Sequence, residues 1–181
     1  MGLRNRNIFK DQFCFFVTTT CKDWLNLFIV DKYYEIICES ISFVNIKFKA
    51  SILAYVIMPN HLHIVVYFGI KNNLSDYMRD FKKFTSGEIR RMLEQDNQIE
   101  LLNKIKYDFR EQKFKVWQDR FDDVFLESID IVETKINYIH ENPVKKGLVK
   151  LPEDYKYSSA AYYLLGEMCT IPILDYKGVF C

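Results

Sequence analysis

The first half of the chain combines short apolar runs with two helical patterns. Residues 12–20 are rich in aromatic and β-branched side chains and predict a strand, while residues 31–43 carry apolar side chains at helical spacing. Strands are also predicted over about residues 49–58 and 61–68, and the Pro-Asn turn between them indicates a β-hairpin. A long amphipathic helix is predicted over about residues 74–93.

The second half of the chain is less regular. Residues 94–115 are charged and rich in Asn and Gln, which favours an irregular or helical excursion, and residues 114–117 are the candidate fourth strand. A last helix is predicted over about residues 130–142, followed by a tail over residues 161–181. The order β-α-β-β-α-β predicts an α+β fold, a ferredoxin-like antiparallel sheet with helices on one face and an additional C-terminal helix. We expect residues 1–181 to form one domain.

Composition narrows the class of protein. With 49% hydrophobic and 16% aromatic residues, the 181-residue chain can bury one good core. No apolar run approaches the roughly 20 residues that cross a bilayer. The five cysteines are odd in number and form no Cys-x-x-Cys pair, which favours reduced thiols and a cytoplasmic location. Because the net charge is only +1, a nucleic-acid partner would require a local basic patch.

Two of the three histidines, His61 and His63, stand at the start of the third predicted strand. In a strand, residues i and i+2 point to the same face, so the two imidazoles project together while Leu62 and Ile64 point to the other face. Such a pair is half of a metal site. Taken alone, the pattern is more typical of two polar positions on a half-buried strand.

The last predicted helix contains a second candidate for chemistry. Tyr138 and Asn142 are four positions apart and share a face, whereas His140 falls near the opposite edge of the helix. A tyrosine beside an apolar stripe is normally a packing residue. The helical pattern alone therefore leaves both a structural and a chemical role open for Tyr138.

Basic side chains gather at two places. The helix predicted over residues 74–93 carries four of them opposite its apolar stripe, and two more follow the last predicted helix: Arg79, Lys82, Lys83 and Arg90, then Lys145 and Lys146. A charged helix face is usually only solvated. Beside a site that acts on nucleic acid, either group would also serve to bind phosphates.

Four sequence blocks in this order resemble those of the REP-associated tyrosine transposases. They are MPNHLHIVV from residue 58, WQDRFD from residue 117, YIHENPVKKGLV from residue 138 and PEDYKYSSA from residue 152. The REP-associated proteins belong to the single-tyrosine HUH transposases, named for their His-hydrophobic-His motif. The resemblance spans roughly residues 12 to 160, and four ordered blocks are far more specific than any one of them.

The resemblance implies an enzyme that cleaves and rejoins single-stranded or hairpin DNA. In such a protein His61 and His63 would bind a divalent cation, Mg²⁺ or Mn²⁺, and Tyr138 on the C-terminal helix would attack the phosphate to give a 5′-phosphotyrosine. The third metal ligand in relatives lies one turn after the tyrosine, which is Asn142 here. Glu141 is the alternative for that ligand, with water completing the site.

Two other functions and two assemblies stay open at this stage. The protein could be a non-catalytic nucleic-acid-binding domain on the same fold, or a metallo-hydrolase that acts through a bound water. Some relatives are homodimers in which the tyrosine of one chain serves the other chain's site, while the REP-associated type tends to act as a monomer. The Ser-Ser block near residue 158 favours the monomer.

Overall fold

The computed structural model describes residues 13–69, 74–109 and 112–180. Its strands are β1 (Cys14–Thr20), β2 (Ala50–Met58), β3 (His61–Phe68), β4 (Lys106–Phe109), β5 (Gln112–Phe114) and β6 (Asp122–Phe125). Its helices are α1 (Asp31–Phe48), α2 (Leu74–Gln95), α3 (Ile99–Ile105), α4 (Ile129–Lys145), α5 (Ala160–Leu165) and α6 (Lys177–Phe180). None of the helices in these ranges is long and apolar enough to cross a membrane.

A four-stranded antiparallel sheet forms the centre of the fold, in the order β2-β3-β1-β6. Together with α1 and α2 it gives the predicted β-α-β-β-α-β arrangement, so the predicted fold class is confirmed. The antiparallel hairpin of β4 and β5 stands apart from this sheet, within the predicted excursion over residues 94–115. The excursion also packs on the core, because Ile105 is fully buried there.

The location of the fourth strand was predicted wrongly. The strand that pairs with β1 is β6, whereas Trp117 forms only an isolated bridge with Cys21. Trp117 is buried, and its indole N–H donates to Thr85 Oγ1 at 2.7 Å. The ammonium of Lys82 then donates to the carbonyls of three successive residues, 118 to 120, so the chain turns there before β6 begins.

The sheet buries two different faces. Strand residues such as Val17, Leu62 and Ile64 form the larger core with α1 and α2, in keeping with the two helices predicted on one face. The opposite face carries residues such as Phe16 and Val65 and is covered by α4. Helix α4 lies there because an apolar stripe faces the sheet, made of Val132, Ile136 and Ile139 at helical spacing. Both histidines of β3 lie on this second face.

The tail after α4 covers the edge strand of the sheet. Ile57 N donates to Tyr157 O at 2.9 Å, and Ser159 N donates to Tyr55 O at 3.0 Å. An antiparallel bridge joins Val56 to Ser158 between these two bonds. The Ser-Ser block therefore satisfies backbone groups of β2 that an open sheet edge would leave unpaired.

Replacing Ser159 with alanine should destabilise the fold. Ser159 is fully buried, its Oγ accepts a hydrogen bond from Tyr55 N at 3.0 Å, and it lies 2.9 Å from His140 Nε2. Loss of the hydroxyl leaves buried polar groups unpaired, so we expect the free energy of unfolding to fall by roughly 1–3 kcal/mol in denaturant titrations. Ser86→Ala, on the half-buried side of α2, should stay within about 0.5 kcal/mol of the parent. Equal stability of the two variants would contradict the structural role of Ser159.

Candidate functional site

The two imidazoles of β3 lie side by side at the end of the strand. Their ring centroids are 4.8 Å apart at an interplanar angle of 78°. Both side chains are buried, His61 at 7% and His63 at 4% exposure, beneath the edge of α4. The alternation of the strand thus brings the two rings together on the face opposite the larger core.

Each imidazole is held by a hydrogen bond at Nδ1. His61 Nδ1 lies 2.6 Å from Asn60 Oδ1, and the amide of Asn60 is itself oriented because its Nδ2 donates to Trp24 O at 3.3 Å. His63 Nδ1 lies 2.8 Å from Thr18 Oγ1 on the neighbouring strand. A partner at one ring nitrogen orients the ring and leaves the other nitrogen for a ligand, as in metal-binding histidines. In both residues that other nitrogen is Nε2.

Both histidines are neutral at neutral pH. Burial lowers the pKa of His61 to about 4, with a smaller contribution from the charge of Lys146. Burial also lowers the pKa of His63 to about 3, and the charges of His61 and Lys135 act in the same direction. Because only a neutral imidazole coordinates a metal, the environment keeps both rings in the form that binds.

Tyr138 faces the histidines from α4. The centroid of its ring lies 5.4 Å from that of His63 and 5.9 Å from that of Phe16. Its side chain is 44% exposed, unlike the buried histidines, so a substrate can reach the phenol from solvent. Two residues 75 positions apart in the sequence therefore meet at one place.

Two lysines on α4 flank the tyrosine. The ammonium of Lys135 lies 5.9 Å from the centroid of the Tyr138 ring, and that of Lys145 lies 5.7 Å from it. Lys135 was not predicted from the sequence as a site residue, although it precedes Tyr138 by three positions and so shares its helix face. The two positive charges make this surface attractive to a phosphate.

Asn142 follows Tyr138 by one helical turn and is buried at 8% exposure. Its Nδ2 donates to Tyr138 O at 2.9 Å, so Oδ1 is the atom left for a ligand. Glu141 is exposed and does not line the cavity described below, while His140 turns to Ser159 and Tyr163. Of the candidate third ligands on α4, Asn142 is the one that lines the same cavity as the two histidines.

The donor set limits which metal could be held. Within the described ranges no group of three or more His, Cys, Asp or Glu side chains is spaced to hold a metal ion. A cation beside the two imidazoles would therefore need further ligands of another kind, such as amide oxygens or water. Mixed nitrogen and oxygen ligands of this kind can hold a divalent cation and differ from those of a cysteine-rich zinc site.

His61, His63, Tyr138 and Asn142 line one cavity of about 570 Å³. Its walls are formed by Thr18, Trp24, Asn26, Met58, Pro59, Asn60, His61, His63, Asp122, Tyr138, Asn142, Lys146 and Leu148. Thr18 and Asp122 reach it because the register aligns Thr18 with His63 on one side and with Asp122 on the other. Neither residue was predicted as part of the site, since only the pairing of distant strands brings them there.

The basic residues predicted on α2 lie elsewhere. A separate cleft of about 490 Å³ contains Arg79, Lys82 and Lys83 beside the segment that precedes β6. Arg79 pairs with Asp76 and Asp80, and Lys82 donates to backbone carbonyls, so both are already engaged within the protein. Arg90 pairs with Glu94 at 2.7 Å. Of the predicted basic residues, Lys145 and Lys146 are the two beside the cavity.

The antiparallel ferredoxin-like sheet with paired strand histidines and a helix tyrosine is the arrangement that the resemblance to the single-tyrosine transposases implied. The family described as "Transposase IS200 like" matches residues 14–142. The chain therefore belongs to this family, a family of DNA transposases, and the resemblance found in the sequence is confirmed. The matched region includes both histidines, Tyr138 and Asn142.

Two of the proteins that the chain resembles are described as REP-associated tyrosine transposases. The chain is 27% identical over 107 residues to a protein of Haemophilus influenzae (strain ATCC 51907 / DSM 11121 / KW20 / Rd) described as a REP-associated tyrosine transposase. That match covers 59% of the chain and only 57% of the relative. A solved REP-associated tyrosine transposase bound to a REP hairpin has the same fold, with a TM-score of 0.68 at 20% identity, covering 97% of this chain and 93% of that one. A transposase structure from Deinococcus radiodurans r1 has a TM-score of 0.50 at 10% identity, covering 72% and 90%.

Proposed function

We propose that the protein is a metal-dependent single-stranded DNA endonuclease and strand-transferase that acts on DNA hairpins. The observation that carries this proposal is the meeting of Tyr138 with His61 and His63 at one open cavity. A partly exposed phenol, two neutral imidazoles oriented through Nδ1 and nearby ammonium groups are the parts that phosphoryl transfer by tyrosine requires. The family assignment supports the same reading.

In the proposed reaction Tyr138 Oη attacks the scissile phosphorus. The new oxygen–phosphorus bond forms as the bond to the 3′ oxygen breaks, which gives a 5′-phosphotyrosine and a free 3′-hydroxyl. The phenol loses its proton and the departing 3′ oxygen gains one. Rejoining reverses these steps with a 3′-hydroxyl as the attacking group, so the phosphodiester bond energy is kept in the covalent intermediate.

We propose that His61, His63 and Asn142 hold the divalent cation, with water completing its shell. When bound, Mg²⁺ or Mn²⁺ polarises the scissile phosphate and offsets the charge that develops on it. The hydrogen bonds that His61 makes with Asn60 and His63 makes with Thr18 keep the two imidazoles oriented while the substrate enters and leaves.

DNA binding is proposed to depend on the two lysines beside the cavity. Because Lys145 lies over the Tyr138 ring and Lys146 lines the cavity wall, a phosphate presented to Tyr138 passes both ammonium groups. A hairpin is the proposed substrate because the solved relative with the same fold is described as bound to a REP hairpin. The exposed part of the α2 cleft, around Lys83, is a second surface that a longer DNA would reach.

Replacing Lys145 and Lys146 together with glutamine should weaken DNA binding and reduce its salt dependence. The slope of log K against log salt is negative, and each lost phosphate contact on a single strand reduces its magnitude by about 0.7, so the pair should reduce the magnitude by roughly 1.4. Fluorescence anisotropy with a labelled hairpin over a salt series measures the slope. Lys113→Gln on the β4–β5 hairpin removes an exposed charge outside the cavity and should leave the slope unchanged.

Lys83→Gln tests the second surface, because Lys83 is exposed and its loss disturbs none of the contacts of Lys82. A slope lowered by Lys83→Gln and unchanged by the Lys145 and Lys146 substitutions would contradict the assignment of DNA to the α4 side. Lys82 is unsuitable for this test, since its three carbonyl contacts support the fold.

We further propose that the site works in cis, in a monomer. Tyr138 and the histidines of the same chain already face one cavity, which supports cleavage without exchange of helices. Mixing a Tyr138→Phe protein with a His61→Ala/His63→Ala protein tests this. A homodimer that acts in trans would regain cleavage because one hybrid site would be complete, whereas monomers acting in cis would stay inactive.

One observation favours a non-catalytic nucleic-acid-binding domain as the second candidate. The described residues offer two imidazoles and no carboxylate at ligand spacing, which is a weak donor set for a metal. The same lack counts against a metallo-hydrolase. Incubation of the protein with a labelled hairpin and Mg²⁺ or Mn²⁺, followed by a denaturing gel, separates the three functions. A covalent adduct supports the transposase, free cleaved DNA supports the hydrolase, and intact DNA supports the binding domain.

We also propose that the protein forms one domain and that it works in the reducing environment of the cytoplasm. Cys14, Cys21 and Cys38 are free and buried, and burial raises the pKa of Cys14 and Cys38 to about 12. Thiols in this state are unreactive core residues, as expected in a reducing environment.

A further inference from the structure

Two residues between β1 and α1 have left-handed backbone conformations. Asp23 has a φ of 52° and Trp24 a φ of 57°, a region that L side chains rarely adopt. Hydrogen bonds hold this segment, because Trp24 N donates to Cys21 O at 3.1 Å and Asn60 Nδ2 donates to Trp24 O at 3.3 Å. Backbone strain of this kind persists where the surroundings over-determine it, and it concentrates at ligand sites.

The strained segment presents an indole at the rim of the histidine cavity. Trp24 lines the cavity and is 61% exposed, whereas the chain's other tryptophan, Trp117, is buried. The indole centroid lies 6.1 Å from that of His61 at an interplanar angle of 67°. One side of the indole is therefore fixed against the site, and the rest offers an apolar aromatic surface to whatever enters.

Trp24 and Tyr138 lie at opposite ends of the histidine pair. Trp24 contacts His61, while Tyr138 contacts His63 with ring centroids 5.4 Å apart. A phosphate located at the two imidazoles would thus have the nucleophile on one side and the indole on the other. The nucleotide that carries this phosphate, or its neighbour, would bring a base to Trp24.

We propose that Trp24 stacks on one unpaired base next to the phosphate that Tyr138 attacks. This inference rests on the proposed function, and it assigns to Trp24 the contact with the base beside the cleavage point. Every base has a π-face, so an aromatic platform binds unpaired bases with little sequence preference, whereas bases within a duplex are not available to it.

Asn26 is the residue that would read the stacked base. Its side chain is exposed, lines the same cavity and makes no hydrogen bond to another described residue. An amide offers one acceptor and two donors in a plane, which is the arrangement that recognises a base edge. Trp24 therefore supplies affinity, and Asn26 supplies a preference among bases.

The test uses the full chain with Tyr138→Phe, in buffer with a chelator, so that neither cleavage nor metal is needed. A hairpin with a single-stranded flank is first selected from a randomised DNA pool, and its affinity is then measured by anisotropy. Trp24→Ala should weaken binding by about 5- to 150-fold, which corresponds to about 1–3 kcal/mol. Trp24→Phe should retain most of the affinity and Trp24→Leu should not, because leucine keeps apolar bulk without a ring.

Abasic substitutions then locate the base. Removal of one base beside the cleavage point should weaken binding to the parent but have no further effect on Trp24→Ala. Asn26→Ala should reduce the discrimination between bases at that position and leave the other positions unchanged. Phe43→Ala removes an exposed aromatic ring of α1 outside the cavity and should bind the hairpin as the parent does.

The outcomes separate this inference from the function on which it rests. A protein that selects no hairpin fails as a DNA-binding transposase and loses the stacking site with it. A hairpin that is bound equally well by the parent, Trp24→Ala and Trp24→Leu contradicts the stacking site alone. If only the stacking site is contradicted, a Trp24→Ala protein with intact Tyr138 should still form the covalent adduct at high DNA concentration. That adduct would show that the proposed reaction stands without the stacking site.

Discussion

Replacing Tyr138 with phenylalanine is expected to abolish covalent attachment to DNA while leaving binding nearly intact. The substitution removes one oxygen from a side chain that is 44% exposed, so the free energy of unfolding should change by less than about 0.5 kcal/mol. The attacking atom, however, is lost. Adduct yield on a denaturing gel should fall by more than about a thousandfold, since loss of a nucleophile costs at least this much in comparable enzymes.

Other tyrosines provide the controls for this experiment. Tyr77 is fully buried and donates to Asn45, while Tyr155 donates to Ile57 O, so neither hydroxyl is directed at the cavity. Tyr162→Phe, which alters a half-buried tyrosine outside the cavity, should form the adduct at the parental level. An adduct that survives Tyr138→Phe would transfer the role of nucleophile to another residue and would contradict the proposed reaction.

Local periodicity explains why the central pieces of the site could be predicted from the sequence. The alternation of a strand puts His61 and His63 on one face, and the turn of a helix puts Asn142 above Tyr138. Neither relation depends on the rest of the fold. Even so, the meeting of the strand with the helix was implied by family resemblance rather than by periodicity, because it depends on which face of the sheet α4 covers.

Tertiary contacts explain what could not be predicted. Residues 114–117 carry a strand-like pattern, but Trp117 is drawn into the core by Phe28, Phe81 and the hydroxyl of Thr85. The strand that pairs with β1 is β6, which begins only after residues 118–120, whose carbonyls accept hydrogen bonds from Lys82. A short apolar pattern cannot reveal that a tryptophan will pack against side chains 30 or more residues away. The fourth strand was therefore predicted at residues 114–117, several positions before the place where it forms.

Charge patterns were similarly incomplete. Helix α2 does carry the predicted basic residues, but a helical wheel does not show their contacts with other parts of the chain. Lys82, for example, donates to the backbone carbonyl of Gln118. Thr18 and Trp24 had no local signal for a functional role either. Thr18 reaches His63 through strand register, and Trp24 reaches His61 through a strained turn that no propensity favours.

The site also combines rigidity with access. The imidazoles belong to a central strand, are buried and are hydrogen-bonded at Nδ1, whereas the tyrosine and the tryptophan that flank them are open to solvent. Preorganised ligands avoid the cost of ordering during the reaction, and exposed rings allow an extended DNA strand to enter and leave. This division of roles suits the reversible cleavage and rejoining reaction that we propose.

Replacing His61 and His63 with alanine should eliminate cleavage and the stabilising effect of Mn²⁺ on unfolding. A ligand bound only by the native state raises the free energy of unfolding by roughly 2.7 kcal/mol at a hundredfold excess over its dissociation constant. The double variant should show no such increase in thermal unfolding, measured with and without Mn²⁺. Asn142→Ala should show a smaller loss, since water can replace one neutral oxygen ligand but not two imidazoles.

His140 provides the matched control for the metal experiment. It is buried to nearly the same degree, and burial lowers its pKa to about 4, but it faces Ser159 rather than the cavity. Because His63 stacks on Phe16 and bonds Thr18, alanine there also lowers stability without metal, so each variant is compared with itself in chelator. His140→Ala should keep the full Mn²⁺ effect. If the parent protein gains no stability and forms no adduct with any divalent cation, the metal site is refuted and the non-catalytic binding domain becomes the better description.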